Sequence, residues 1–281
     1  KSFFTDTPDL MSPQIAFLGA GNMATAMING LLASGFSPSQ LRASDPSEAA
    51  LSRLQSLGLS QLNTSPQHIF IDADLVVVAV KPQVAPDALA AIRDQIGPNT
   101  AILSIAAGIP IASLQAAVDP TVPVIRCMPN TPAMIGKGAS GLFATAQASD
   151  AQRALAEQVT NAVGMTIWVS SGALVDAVTA VSGSGPAYFF ALIEAIIAAG
   201  IDLGLDQKTA VALTLQTAIG AAELAGRSEL PISTLRENVT SPGGTTEQAL
   251  LALQSHQFDE IITHAVQACA ERARTLGEEF G

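Results

Sequence analysis

From residue 14 onward the chain alternates short apolar runs with segments of helical period. "QIAFLGAG" (14–21) is an apolar run entering a glycine turn, and "NMATAMINGLLASG" after it spaces its apolar positions as a helix does. "LRASD" (41–45) is a second short run, followed by a helix pattern from Pro46 to about Leu57. "ADLVVVAV" (73–80) is apolar without a break, as parallel strands covered on both faces are. "TAILSIAAG" (100–108) and "VPVIRCMP" (122–129) repeat the pattern, with helical segments between. This rhythm predicts an α/β fold whose N-terminal domain, residues 11–169, is a Rossmann-type doubly wound parallel sheet.

After Trp168 the strand signals stop. Helical patterns cover 172–182, 186–204, 207–225, 231–239 and 245–279, with a break near Ser255, so residues 170–281 are expected to form an all-helical domain. "TAVALTLQTAIGAAELAG" (209–226) is apolar nearly all round and needs cover on more than one side. "YFFALIEAIIAAGIDLGL" (188–205) approaches membrane-spanning length. It carries Glu194 and Asp202, however, which favours a buried helix over a membrane span. A helical half of this size has too little mass to cover two such helices, so an obligate dimer built on a dimerisation domain is expected.

Composition adds a few exclusions. The chain has 281 residues, is 48% hydrophobic and carries a net charge of −11, which argues for a large core and against a nucleic-acid partner. Cys127 and Cys269 make neither a disulfide framework nor a metal pair, and His68, His256 and His264 stand alone, so no metal site is expected. The opening "KSFFTDTPDLMSPQ" lacks the features of a signal peptide. Met11 reads as the natural start, with residues 1–10 an extension ahead of it, and a cytoplasmic protein is expected.

The candidate chemistry begins at Gly19-x-Gly21-x-x-Ala24, a dinucleotide fingerprint between a strand and a helix. Gly19 permits the tight turn, Gly21 lets backbone approach a pyrophosphate, and Ala24 allows close helix packing. The plainer alternative is a glycine turn with no ligand. Asp45 stands where an acidic residue would bond the adenosine ribose and repel a 2′-phosphate; equally, it can cap the helix after Pro46. Ser44 or Ser47 can instead meet a phosphate. Lys81 and Pro82 follow the buried run at the crevice where such sheets bind ligands, though Lys81 can also be a solvated loop lysine. The small residues of "SIAAG" (104–108) leave room for a flat ring or a ribose. Asn130 and Thr131 either line the same crevice or satisfy loop backbone groups.

Hydroxyacid dehydrogenases of this layout carry a lysine on the long helix, yet no lysine falls between Lys137 and Lys208 here, which disfavours alcohol oxidation. "TSPGGTT" (240–246) is the better substrate end. Thr245-x-x-Gln248 has the form of a capping box, so a helix is expected to begin at Thr245. Ser241, Gly243, Gly244 and Thr245 then converge on its positive end as a site for a small carboxylate, or else form an ordinary capped turn.

"GAGNMA", "AVKP", "SIAAGI", "RCMPNTP", "AVSGSGPAYFFALIEA" and "VTSPGGTTEQAL" occur in this order. Together they resemble the Δ1-pyrroline-5-carboxylate reductases, which catalyse the last step of proline synthesis, across essentially residues 13–280. The resemblance implies cofactor phosphates on Gly19, Gly21, Asn22 and Met23, and ribose and nicotinamide against Ala79, Lys81, Pro82, Ala106 and Gly108. It assigns the substrate carboxylate to Ser241–Thr245, gives Thr246 a hydrogen bond to the ring nitrogen, and puts Asn238 beside the nicotinamide. It further implies NADPH or NADH as cofactor and an intertwined homodimer, often assembled into decamers, in which loop and cofactor come from different subunits. The expected reaction is hydride transfer to the imine carbon of pyrroline-5-carboxylate. The competing readings are a reductase of another imine or a β-hydroxyacid, and a non-catalytic dinucleotide-binding protein.

Overall fold

Strands form where apolar residues fill both alternating positions of a short run, because side chains of one strand point to opposite faces of the sheet. The computed structural model describes residues 12–280; Met11, read as the natural start, lies outside the described residues. In chain order it contains β1 (Ile15–Leu18), α1 (Asn22–Ala33), β2 (Leu41–Ser44), α2 (Glu48–Ser56), β3 (Gln61–Asn63), β4 (Leu75–Val78), α3 (Ala85–Ala90) and β5 (Ala101–Ser104). There follow α4 (Ile111–Ala117), β6 (Val124–Met128), β7 (Gly138–Ala144), α5 (Asp150–Asn161) and β8 (Gly164–Trp168).

The strands form one sheet in the order β3-β2-β1-β4-β5-β6-β7-β8. Ile15 of β1 pairs with Leu41 on one side and Leu75 on the other, both in parallel. The order therefore reverses between β1 and β4, and the crevice of a doubly wound sheet lies at that switch point. All four residues of β4 are fully buried: Val77 faces a core with Phe17 and Leu103, while Val76 and Val78 face another with Ala16 and Ile102. That double burial explains the uninterrupted "LVVV".

The sheet departs from the expected all-parallel form at one pair. β7 runs antiparallel to β6, with Cys127 opposite Leu142. The connection from Met128 to Gly138 is too short for the crossover a parallel pair needs.

The helical remainder consists of α6 (Gly172–Val178), α7 (Gly185–Asp202), α8 (Gln207–Arg227), α9 (Ile232–Asn238), α10 (Thr245–Ser255) and α11 (Phe258–Phe280). The segment expected to be helical at 172–182 ends differently. After α6 the chain widens into a π-helical turn, Thr179–Gly183. There the backbone fits closely against β6: a Cβ on Gly183 would lie 2.4 Å from the Met128 side chain.

By packing, the chain divides into two compact units. Among the described residues, one takes in the chain up to Ser184 and again from Cys269; the other is Gly185–Ala268. In the second unit, the helix expected to be buried at 188–205 is largely uncovered within the single chain. Within the single chain only Gly185, Ala210 and Thr214 of that unit are buried. α7 packs against α8, but two antiparallel helices leave most of each surface uncovered. Within the helical run Gly172–Asp202 an 18-residue stretch has a mean hydropathy of 1.6, long and apolar enough to cross a membrane by length and composition alone.

Candidate active site

The turn after β1 is built by close backbone contacts. Gly19 has φ +106°, which side-chain-bearing residues rarely adopt, and a Cβ there would lie 2.7 Å from the carbonyl oxygen of Ala79. Its N–H donates to the Ser44 carbonyl at 2.8 Å, and the Ala79 N–H donates to the Leu18 carbonyl at 2.8 Å. The ends of β1, β2 and β4 are thus tied together. Gly21 is the N-cap of α1, offers no side chain to its amides, and a Cβ there would meet no atom within 4 Å. Asn22 and Met23 open the helix, and Ala24 is fully buried beneath it. Uncapped amides, a positive helix end and an open space that a Cβ would fill suit a phosphate group.

Asp45 follows β2. Its Oδ2 accepts the Ala20 N–H at 2.8 Å, and its Oδ1 accepts the Ser47 N–H at 2.8 Å. The reading of Asp45 as the helix cap is corrected: Ser47 caps α2, its hydroxyl accepting from the Ala50 N–H. Ser44 is buried in β2. Arg53 of α2 reaches the same turn, donating to the Ala20 carbonyl at 3.5 Å.

Lys81 is exposed after β4, with Pro82 opening a 3-10 turn. After β5, the Ala106 N–H donates to the Ser104 hydroxyl at 3.3 Å, and Gly108 is buried against Leu276 and Gly277 of α11. The cofactor-side residues expected from sequence, apart from Asn238, therefore gather at the carboxyl edge of the parallel strands β1, β2, β4 and β5. Asn130 serves the loop backbone: its side-chain amide donates to the Ser182 carbonyl at 3.0 Å, and its oxygen accepts the Ala139 N–H at 2.9 Å. Thr131 is exposed. Cys127, in the core, has its thiol pushed up to about 12 by burial, against the pull of a bond with Ser140. Such a thiol is inert at neutral pH.

The other unit carries Asn238 at the end of α9 and the loop from Ser241 to Gly244. α10 begins at Thr245, as expected, but not through a capping box of Thr245 and Gln248. Its N-cap is Gly244, which has no side chain to offer. A Cβ there would lie 2.9 Å from the Ser241 carbonyl oxygen, so no capping side chain fits. The Gly244 N–H donates to that carbonyl at 2.9 Å. Gly243, at φ +73°, donates its N–H to Glu247 Oε2 at 2.8 Å. The first turn of α10 is left without a side-chain cap, with Thr245 exposed and Thr246 half-buried at its mouth. Uncapped amides at a positive helix end beside two hydroxyls are chemically suited to a small anion.

Sequence reasoning passed over Arg53 and Glu247. Glu247 had a signal, a carboxylate three residues after the N-cap. Arg53 had none, because its contact with Ala20 spans 33 positions of chain.

A Rossmann sheet with an open glycine turn, followed by a helical unit bearing an uncapped, hydroxyl-lined loop, defines a two-domain nicotinamide-dinucleotide oxidoreductase. Residues 172–276 match the family model described as pyrroline-5-carboxylate reductase dimerisation, and residues 14–108 match one described as NADP oxidoreductase, coenzyme F420-dependent. A pyrroline-5-carboxylate reductase of Pseudomonas aeruginosa is 47% identical over 272 residues, spanning 97% of this chain and 100% of the relative. One from Haemophilus influenzae is 40% identical, spanning 95% of this chain and 98% of the relative. Among solved structures, the pyrroline-5-carboxylate reductase of Coxiella burnetii superposes with a TM-score of 0.89 at 37% identity, covering 94% of this chain and 98% of its own. The NADP-bound pyrroline carboxylate reductase of Plasmodium falciparum gives 0.83 at 28% identity, covering 95% and 98%. The chain belongs to the pyrroline-5-carboxylate reductase family.

Proposed function

We propose that this chain reduces 1-pyrroline-5-carboxylate to L-proline with NADPH or NADH, the last step of proline biosynthesis. The observation that carries the reading is the mouth of α10, where Gly244 leaves the first-turn amides uncapped beside the Thr246 hydroxyl. Ser241, Gly243, Gly244 and Thr245 hold the substrate carboxylate against those amides. Thr246 donates to the ring nitrogen, which gains a proton as the imine carbon gains hydride. Bound nicotinamide supplies that hydride.

Gly19, Gly21, Asn22 and Met23 hold the phosphates, and Ser44 and Asp45 face the adenosine ribose. Ala79, Lys81, Pro82, Ala106, Gly108 and Asn238 line the nicotinamide end. An imine carbon is already electrophilic, so positioning and one donor suffice and no strong base is required. The composition of α7 agrees, since no lysine stands anywhere in it.

By role, we divide the chain into a cofactor domain, residues 11–169, and a helical dimerisation and substrate domain, residues 170–281. Exposed apolar residues on α7 and α8, and the dimerisation description that matches 172–276, support a homo-oligomer. Its proposed minimal form is an intertwined dimer, with decamers as the larger form. A cytoplasmic enzyme is proposed. Glu194 in the apolar helix and the net charge of −11 speak against membrane and nucleic-acid partners.

Thr246→Ala is expected to lower turnover by roughly ten- to a thousand-fold, the range for losing one positioned donor. Following NADH and NADPH oxidation separately with pyrroline-5-carboxylate tests both points. Unchanged rates in the variant would remove Thr246 from the site, and no wild-type turnover with either cofactor would refute the reductase reading.

A further inference from the structure

We propose that Asp45 makes this enzyme discriminate against the adenosine 2′-phosphate, so that NADH is its preferred cofactor. The inference rests on the reading that a dinucleotide binds at the glycine turn. Ser44, the last residue of β2, pairs with Leu18, the last residue of β1, so Asp45 stands directly beside that turn. In doubly wound folds an acidic group here bonds the ribose hydroxyls, whereas a 2′-phosphate calls for a cation.

What distinguishes Asp45 is how it is held. An aspartate on a loose loop can turn away from an incoming phosphate at small cost. Asp45 cannot, because each of its oxygens accepts one backbone N–H at 2.8 Å, from Ala20 and from Ser47. Ala20 is fully buried, so turning the carboxylate away would strand its N–H where water does not replace the bond. The negative charge is therefore fixed in place. Of roughly four lone-pair sites on a carboxylate, two are used, which leaves acceptors for a ribose diol. A 2′-phosphate, carrying about −1.5 to −2, would be repelled by the same charge.

One cation stands near. Arg53 donates to the carbonyl of the same Ala20 residue at 3.5 Å, and it is the group a phosphate would have to recruit. The two side chains thus make opposite demands on one cofactor atom, and they can be separated experimentally.

The test is equilibrium binding of NADH and NADPH to the full-length protein without substrate, followed by cofactor fluorescence. NADH is expected to bind at least about tenfold tighter than NADPH, or about 1.4 kcal/mol. Asp45→Asn keeps an oxygen acceptor and loses the charge. It is expected to shrink that ratio by about tenfold, chiefly by tightening NADPH. Wild-type protein that binds NADPH as tightly as NADH overturns the inference without any variant. So does an unchanged ratio in Asp45→Asn, or a selective loss of NADPH binding in Arg53→Ala while Asp45→Asn has no effect. Binding of neither cofactor would refute the dinucleotide site itself, whereas binding of both without preference refutes only the role of Asp45.

Discussion

Phe17 on β1 is 0% exposed, while Phe189 and Phe190 on α7 are 67% and 60% exposed. The sheet-bearing unit covers most of its apolar side chains from within one chain, although Met165 and Ile167 of β8 are each 54% exposed. The helical unit does not. Leu213, Leu215 and Ile219 on α8 stand at least two-fifths exposed, as do Leu192 and Ile196 on α7. An apolar surface of this kind marks a contact surface, and the dimerisation family model covers it. The difference teaches that one part of the chain carries its own core and the other holds a fraction of a core that needs a second copy.

The contrast can be broken by substitution. Phe17→Ala should give the largest effect, about 3–5 kcal/mol of lost stability in chemical denaturation, because it opens a cavity in a fully packed core. That loss should not depend on protein concentration. Leu213→Asp should behave in the opposite way: the fold of the sheet unit survives, but the dissociation constant of the assembly rises by about tenfold or more. Light scattering across a dilution series would show the mass falling. If the mass holds, the exposed face of α8 is not the contact surface.

The smallest effect sharpens the comparison at the substrate loop. Glu247→Ala removes the acceptor of the Gly243 N–H, a bond of about 1 kcal/mol. It should raise KM for pyrroline-5-carboxylate several-fold with little change in kcat, and Glu247→Gln should restore most of the loss. An equal fall in kcat in both variants would mean that the carboxylate charge, not the bond, matters.

Much of the sheet was legible in the sequence. β1, β2, β4, β5 and β6 are apolar runs closed by turn residues, and burial on both faces is what such runs record. β3 was missed because "QLN" at the sheet edge carries little apolar signal, and β7 because "GASGLFA" is rich in residues that punctuate turns. Helix positions in the second half were also legible, since α8 and α10 fall where the periodicity puts them. Their burial was not, because a period records which residues need cover without recording which chain supplies it.

At the candidate site the residues were visible and their partners were not. Asp45 stood out by position, but its bond to Ala20 joins residues 25 positions apart. The substrate loop misled through a capping pattern shifted by one residue. Thr245-x-x-Gln248 and Gly244-x-x-Glu247 overlap, and the clash a Cβ would make with the Ser241 carbonyl selects the glycine as cap.

The return of the chain at Cys269 bears on how this protein could be taken apart. The end of α11 lies so close to the strand-end loop that a Cβ on Gly277 would come within 2.7 Å of the Gly108 carbonyl oxygen. Cutting the gene after the last strand would discard a helix that packs on the strand-end loop of the sheet-bearing unit. The helical unit is an insertion into that unit, not a tail added to it. Its two splice points are already neighbours, for the Cys269 thiol donates to the Ser184 hydroxyl at 3.1 Å. Joining them through a short linker would excise Gly185–Ala268 and make the two stretches of the sheet-bearing unit continuous.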